Sequence, residues 1–261
     1  MKGRAGRIVA EALERGAAHH RAGRWADAAR AYAEVLAAEP DHLDALALIA
    51  GVLLRLDRPG PALQAADRAL ALDPGHAVAA LTRGRALVAL GRPAEAIAAF
   101  DVALAARPGF PEASLGRARA CVAAGRPAEA LPALRVAAER DPRARWDLGV
   151  AELEAGDPTA AAASWQLALA AGVGDPVALG RLLLRTAPPD AAGIPAIRRA
   201  AELGVPGAWA TLADTVLRFP DAADRDTLLA LLARDDIDAQ RIEPAVRRRL
   251  GPDLEIGRAH V

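Results

Sequence analysis

The sequence has little of several residue types, and each shortage argues against a class of protein. There is one cysteine in 261 residues, so no disulfide can form within the chain. No stretch of about 18 apolar residues is free of charge, which argues against a transmembrane helix. The N-terminal residues alternate between charged and apolar types, without an apolar run of signal-peptide length. We therefore expect a cytoplasmic protein that does not bind membranes.

An excess of one charge is also missing. The 33 basic residues, all of them arginine except Lys2, balance the 33 acidic residues. This balance disfavours binding to nucleic acids or membrane surfaces through net charge. The abundance of alanine, glycine, proline and arginine is typical of a GC-rich genome, so we expect a bacterial source.

Aromatic residues make up only 3% of the chain, although 53% of it is hydrophobic. Alanine and leucine supply most of the apolar content. Alanine is the best helix former, and β-branched residues are comparatively few. The composition therefore predicts a long helical protein with a core of small side chains.

Several columns of residues recur at intervals of 34 positions. A fixed period of this length is the signature of a solenoid built from stacked units. In the third period the pattern predicts a helix over 76–90, a left-handed cap at Gly91 and a second helix over 93–106. The columns are Pro40, Pro74, Pro108 and Pro142; Gly23, Asp57, Gly91 and Gly125; Ala28, Ala62, Ala96 and Ala130; and Tyr32, Ala66, Phe100 and Leu134.

These columns resemble the tetratricopeptide repeat family. The resemblance implies an all-α, right-handed superhelical solenoid of stacked antiparallel helix hairpins, in which neighbouring hairpins bury each other's apolar faces. The family's small residue in the first helix corresponds here to Gly16, Ala50, Gly84 and Ala118. Its second-helix pattern is best matched by Ala96, Phe100, Ala103 and Pro108.

We expect the regular array to cover residues 8–171 in about five units. The fifth unit follows a step of 31 residues, which we interpret as a shortened turn after Pro142. Residues 172–254 are expected to form irregular helical repeats or a helical connector, with helices over 176–185, 191–203, 207–218, 222–233 and 239–250. Residues 255–261 correspond, in plausible codons, to a common sequencing adapter and are expected not to belong to the natural protein.

The resemblance also implies a concave groove, lined by the first helices and suited to an extended peptide or a partner helix. Arg85 and Arg119 occupy equivalent places in it, and a guanidinium group can bind carboxylates or phosphates. A solvated face without a ligand is the alternative. The family's clamp of lysine and asparagine residues is absent, so a receptor for chaperone tails is not supported. The expected groove residues are Leu13, His20, Arg21, Asp44, Leu54, Arg55, Leu81, Arg85, Leu115, Arg119 and Trp146.

Residues that could support catalysis or bind a metal do not form a pattern. Cys121 falls in the column of His19, Leu53 and Leu87 and has no nearby arrangement of a histidine and an acid to activate it, which predicts a small buried thiol. His19 and His20 are adjacent and so point in different directions on a helix. His42 and His76 follow repeat prolines and are expected on turns. We therefore expect no catalysis, no metal site and no cofactor.

Two functions stay open at this point. The first is a scaffold or adaptor that binds a protein or peptide partner, with its oligomeric state undetermined. The second is the N-terminal recruiting arm of a longer enzyme, because residues 20–24 and 40–42 resemble repeats that precede glycosyltransferase or methyltransferase domains. RNA-reading helical repeats rank third, because Asp44 and Glu154 would oppose a basic groove.

Overall fold

The structure is a computed structural model that describes residues 2–250, so residues 255–261, the expected adapter, lie outside the described part. The regular elements of residues 2–250 are helical, which confirms the predicted class. The chain divides into two compact units between Ala155 and Gly156. The array expected over 8–171 does not coincide with either unit, and that division of the chain stays a prediction.

The first unit is a series of helix hairpins joined by short turns. Each helix packs against the next one along the chain, and the first helices of successive hairpins also contact each other from α3 onward. The helices are α1 (Lys2–Arg21), α2 (Trp25–Ala38), α3 (Leu43–Arg55), α4 (Pro59–Leu72), α5 (Ala77–Ala89), α6 (Pro93–Ala106), α7 (Pro111–Ala123), α8 (Pro127–Ala138) and α9 (Pro142–Glu154).

The turn inside each hairpin passes through a left-handed residue, as the glycine column predicts. Gly91 has φ +70° and Gly125 has φ +71°. Asp57 holds the equivalent place in the second hairpin with φ 55°, a conformation that costs a residue with a Cβ atom. The turn geometry is therefore kept even where glycine is not.

Histidine side chains cap free amide groups at the starts of α3 and α5. The Nδ1 atoms of His42 and His76 accept hydrogen bonds from the amides of Ala45 and Ala79, at 3.4 and 3.1 Å. An N-terminal cap satisfies one of the four amides that a helix leaves unpaired. The two histidines that sequence analysis placed on turns thus have a structural role.

The expectation of a shortened turn after Pro142 is wrong, because Pro142 is the first residue of α9. The shortening comes earlier. Helix α8 has 12 residues, whereas α6 has 14, and the turn over 139–141 is shorter than the one over 107–110. Pro142 therefore corresponds to Pro111, which starts α7, and the fifth first helix arrives three residues early.

Bulky core residues of the second helices lie against glycines of the first helices. The ring of Phe100 is 1% exposed. A Cβ atom added to Gly84 would lie 2.7 Å from that ring, and one added to Gly116 would lie 2.6 Å from it. Gly16 stands in the same relation to Tyr32, at 2.4 Å. Glycine at these places lets a helix approach an aromatic ring.

A pair of equivalent ion pairs joins successive hairpins. Arg83 on α5 donates from Nε to Asp67 on α4 at 2.6 Å, and Arg117 on α7 donates to Asp101 on α6 at the same distance. Both members of each pair recur after 34 residues. The pairs are partly exposed, so each contributes at most about 1 kcal/mol to stability.

The second unit contains six helices within the described residues. The helices from α12 to α15 supply a core cluster around Leu212, Val216, Leu228 and Ile242. All five helices predicted over residues 176–250 are present, although the second of them begins with a 3₁₀ turn at Ala191–Gly193. The helices are α10 (Pro158–Ala170), α11 (Pro176–Thr186), α12 (Ile194–Glu202), α13 (Ala208–Arg218), α14 (Arg225–Leu232) and α15 (Ala239–Leu250).

Candidate functional site

Exposed side chains at equivalent positions of α3, α5 and α7 form one surface. They occupy the second, ninth and last positions of these helices, which are spaced by seven and four residues and so share a helix face. We call this surface the first-helix face. Its residues are Asp44, Arg55, Val78, Arg85, Glu112 and Arg119.

Arg119 is already bound to a carboxylate of the neighbouring first helix. Its Nε and Nη2 atoms both lie 2.6 Å from Oδ2 of Asp147 on α9. Asp147 is about three-quarters buried, with 25% of its side chain exposed. The contact joins α7 to α9, and Arg119 does not present a free guanidinium to solvent.

Arg85 differs from its equivalent in this respect. Its side chain is exposed, and it forms no hydrogen bond or ion pair within residues 2–250. Partial burial of the guanidinium nevertheless lowers the pKa of Arg85. Glu112 opposes that shift, whereas the charges of Arg55 and Arg119 add to it. Arg85 is therefore an unpaired cation beside two others.

Arg55 lies next to an aromatic cluster at one end of this face. Its guanidinium carbon is 5.6 Å from the ring centre of Trp25, and the ring of His20 meets Trp25 edge-on at 5.3 Å. His20 and Arg55 are among the groove residues expected from the sequence, whereas Trp25 is not. The repeat pattern singles out Trp25, because this residue starts α2 at the position where a proline starts each later second helix: Pro59, Pro93 and Pro127.

Several other expected groove residues serve the core. Leu81 is 6% exposed and lies in the main hydrophobic cluster. It therefore offers almost no surface to a partner and belongs to the core. Leu13, Leu54 and Leu115 are half-buried and pack on the edges of core clusters. Of the other expected groove residues, Arg21 and Asp44 are exposed, and Trp146 on α9 is half-buried.

Groups that could support chemistry are scarce in the described part. Cys121 is buried, as expected, and burial raises the pKa of its thiol. Among residues 2–250, no group of three or more histidine, cysteine or acidic residues could hold a metal ion. The helices within the same range include none with the length and apolarity needed to cross a bilayer.

Comparison with known structures shows the same fold in several proteins. A thermophilic tetratricopeptide repeat protein of Thermus thermophilus has 23% identity and a TM-score of 0.53, over 67% of this chain and 99% of its own. YrrB, described as a tetratricopeptide repeat protein with an unusual peptide-binding site, has 18% identity and a TM-score of 0.52. The match covers 61% of this chain and 84% of YrrB. The pilF protein of Pseudomonas aeruginosa has 18% identity and a TM-score of 0.57. The match covers 82% of this chain and 93% of pilF.

Comparison with family models identifies the repeats themselves. Two tetratricopeptide repeat models match, one over residues 19–83 and the other over 81–144 and 122–176. Together these matches run from residue 19 to residue 176, more than half of the chain. No curated protein matches the sequence. Because the models, the helix order and the solved structures agree, this chain belongs to the tetratricopeptide repeat family.

Proposed function

We propose that this chain is a scaffold or adaptor that binds a protein partner on the first-helix face, without catalysis of its own. The observation that carries the proposal is the exposed, unpaired Arg85 in the middle of that face. A partly buried cation without an ion-pair partner does little to stabilise the fold. It is useful if a partner supplies the missing negative charge.

The packing of the first unit supports a concave shape for this face. In α3 to α9, consecutive first helices contact one another more extensively than consecutive second helices do. A stack whose helices pack more closely on one side is concave on that side. Such a curved surface suits an extended peptide or a partner helix, like the groove expected from the sequence.

The acidic residues of the face disfavour a nucleic acid as the partner. Asp44 and Glu112 are exposed at the start of α3 and α7. They would repel the phosphates of an RNA strand that followed the face, whereas a peptide can place neutral or basic groups there. The protein named YrrB has a peptide-binding site, and we propose a peptide-binding role for this chain as well.

The proposal can be tested with a photo-crosslinking residue and a displayed library of random peptides. The residue is placed at Ala89, which is exposed on α5 one turn beyond Arg85, or at Ala98, which is exposed on the second helix α6. Peptides selected on the unmodified protein should crosslink at Ala89 and not at Ala98. A library that yields no binders, or binders that crosslink at Ala98 instead, would contradict the proposal.

A further inference from the structure

We propose that Arg85 is the anchor of a subsite for one aspartate or glutamate side chain of the bound peptide. The inference rests on the proposed function, because it concerns the same face. It goes further by naming the chemical group that the face selects. Its basis is a comparison of Arg85 with Arg119, which occupies the same position one hairpin later.

The Arg119 contact shows what such a subsite looks like when it is filled. Asp147, at the sixth position of α9, reaches back to the ninth position of α7 and binds the guanidinium at 2.6 Å. A carboxylate bound to a guanidinium is one of the stronger polar contacts in proteins. The chain thus provides an internal example of a side-chain carboxylate bound at this position.

Arg85 has no equivalent carboxylate, because core packing requires glycine at the corresponding position of α7. The residue of α7 that corresponds to Asp147 is Gly116, since both are the sixth residue of helices that begin at a proline. A Cβ atom at Gly116 would lie 2.6 Å from the ring of Phe100. Packing of the aromatic ring therefore excludes a carboxylate at this position of α7, and Glu112 on the same helix forms no ion pair with Arg85.

The neighbours of Arg85 favour an anion over a neutral group. Arg55 and Arg119 are close enough to lower the pKa of Arg85 by charge repulsion, and one carboxylate would relieve that repulsion. Glu112 partly offsets the positive charge without forming an ion pair with Arg85. The balance favours one acidic side chain at this place rather than a long acidic tract.

The test uses two fluorescent peptides with blocked ends, so that neither carries a terminal charge. Both alternate glutamine and alanine, except that one peptide, the glutamate peptide, has a single glutamate in place of its central glutamine. Fluorescence anisotropy should show tighter binding of the glutamate peptide to the wild-type protein. The Arg85→Gln variant should weaken that binding by about tenfold or more, the effect of losing a hydrogen-bonded charge pair, without changing the affinity for the glutamine peptide.

A matched control separates a specific contact from general charge attraction. Arg135→Gln removes the same charge from an exposed side chain on the second helix α8, and it should leave the affinity for the glutamate peptide within about twofold of wild type, as expected for a distant screened charge. The Arg85→Lys variant keeps the charge but loses the planar fork, and its affinity should fall between the other two. Equal losses in Arg85→Gln and Arg135→Gln, or no loss in either, would overturn the subsite.

The two proposals fail in different ways. If library peptides crosslink at Ala89 but bind equally well to wild type and Arg85→Gln, the scaffold function stands and the carboxylate subsite is wrong. Thermal unfolding checks that the variant is folded. Because Arg85 is an unpaired, partly buried cation, Arg85→Gln should unfold at the same temperature as wild type or a higher one.

Discussion

The ring of Phe100 lies between Gly84 on α5 and Gly116 on α7 and is 1% exposed. Small and bulky residues vary together along the chain. Glycine faces an aromatic residue in the first and third hairpins, whereas Ala50 accompanies Ala66 in the second. The same interior space is thus filled either by glycine and an aromatic ring or by two alanines. The two columns that sequence analysis singled out are two halves of one packing contact.

A methyl group at Gly84 should therefore disturb the core. In Gly84→Ala the new Cβ atom meets three ring atoms of Phe100 at 2.7–2.8 Å. We expect a loss of about 1–3 kcal/mol in the free energy of unfolding, typical of overpacking. Urea unfolding followed by circular dichroism measures it. The loss should shrink in a Phe100→Leu background, and purely additive effects of the two changes would show that the contact is not the cause.

Asp224 predicts a dependence of stability on pH. Its carboxylate accepts a hydrogen bond from the amide of Thr227 at 2.7 Å, and the hydroxyl and amide of Thr227 hold the pKa of Asp224 below its usual value. A lowered pKa means that the contribution is present above the unfolded-state pKa of about 3.9 and is lost as the pH falls through the folded-state value.

The matched variant for this test is Asp224→Asn, which keeps an oxygen that can cap α14. The wild-type protein should be the more stable of the two near neutral pH, and the difference in thermal midpoint should shrink below about pH 4. The side chain of Asp224 is 69% exposed, so the effect will be small. A difference that grows on acidification would show that the carboxylate is not stabilised by its cap.

At the scale of the helix, the turn within each hairpin makes a prediction of its own. Asp57 has φ 55° where the equivalent turn residues are glycines. Asp57→Gly should raise the free energy of unfolding by up to about 1 kcal/mol, because glycine adopts this conformation without strain. Gly91→Ala, the reverse change at the equivalent place, should lower it by about 1–2 kcal/mol. Chemical denaturation of both variants measures the effects, and the same sign for both would refute this account of the turn.

The repeat period predicted the helices well because each one depends on local signals. Prolines at helix starts and glycines in turns mark α5 and α6 at nearly the observed residues. The pairing of Arg119 could not be predicted in this way. It depends on the three residues missing before Pro142, which change the interval to Asp147, and on packing that requires glycine at position 116. Two arginines that are equivalent in sequence therefore differ in their partners.

At the scale of the whole molecule, the core consists of separate clusters rather than one. Phe100, Leu87 and Leu134 belong to a cluster formed by the helices from α5 to α9, whereas Leu212, Leu228 and Ile242 belong to another in the second unit. In stacked repeats, stability is approximately a sum of terms for each unit and for its contacts with neighbours. Damage to one cluster should therefore spread to adjacent hairpins before it reaches distant ones.

Hydrogen exchange of Phe100→Ala tests this expectation. Removing a buried phenylalanine should cost about 3–5 kcal/mol, because the lost contacts and the remaining cavity both destabilise the core. Amide exchange should accelerate most in α5, α6 and α7, whose residues contact the ring or lie beside it. Helices α12 to α15 should keep most of their protection, because their core is distinct. Equal acceleration in both units would mean that the protein unfolds as a single cooperative body, and unchanged exchange in α5 to α7 would mean that Phe100 does not support their packing.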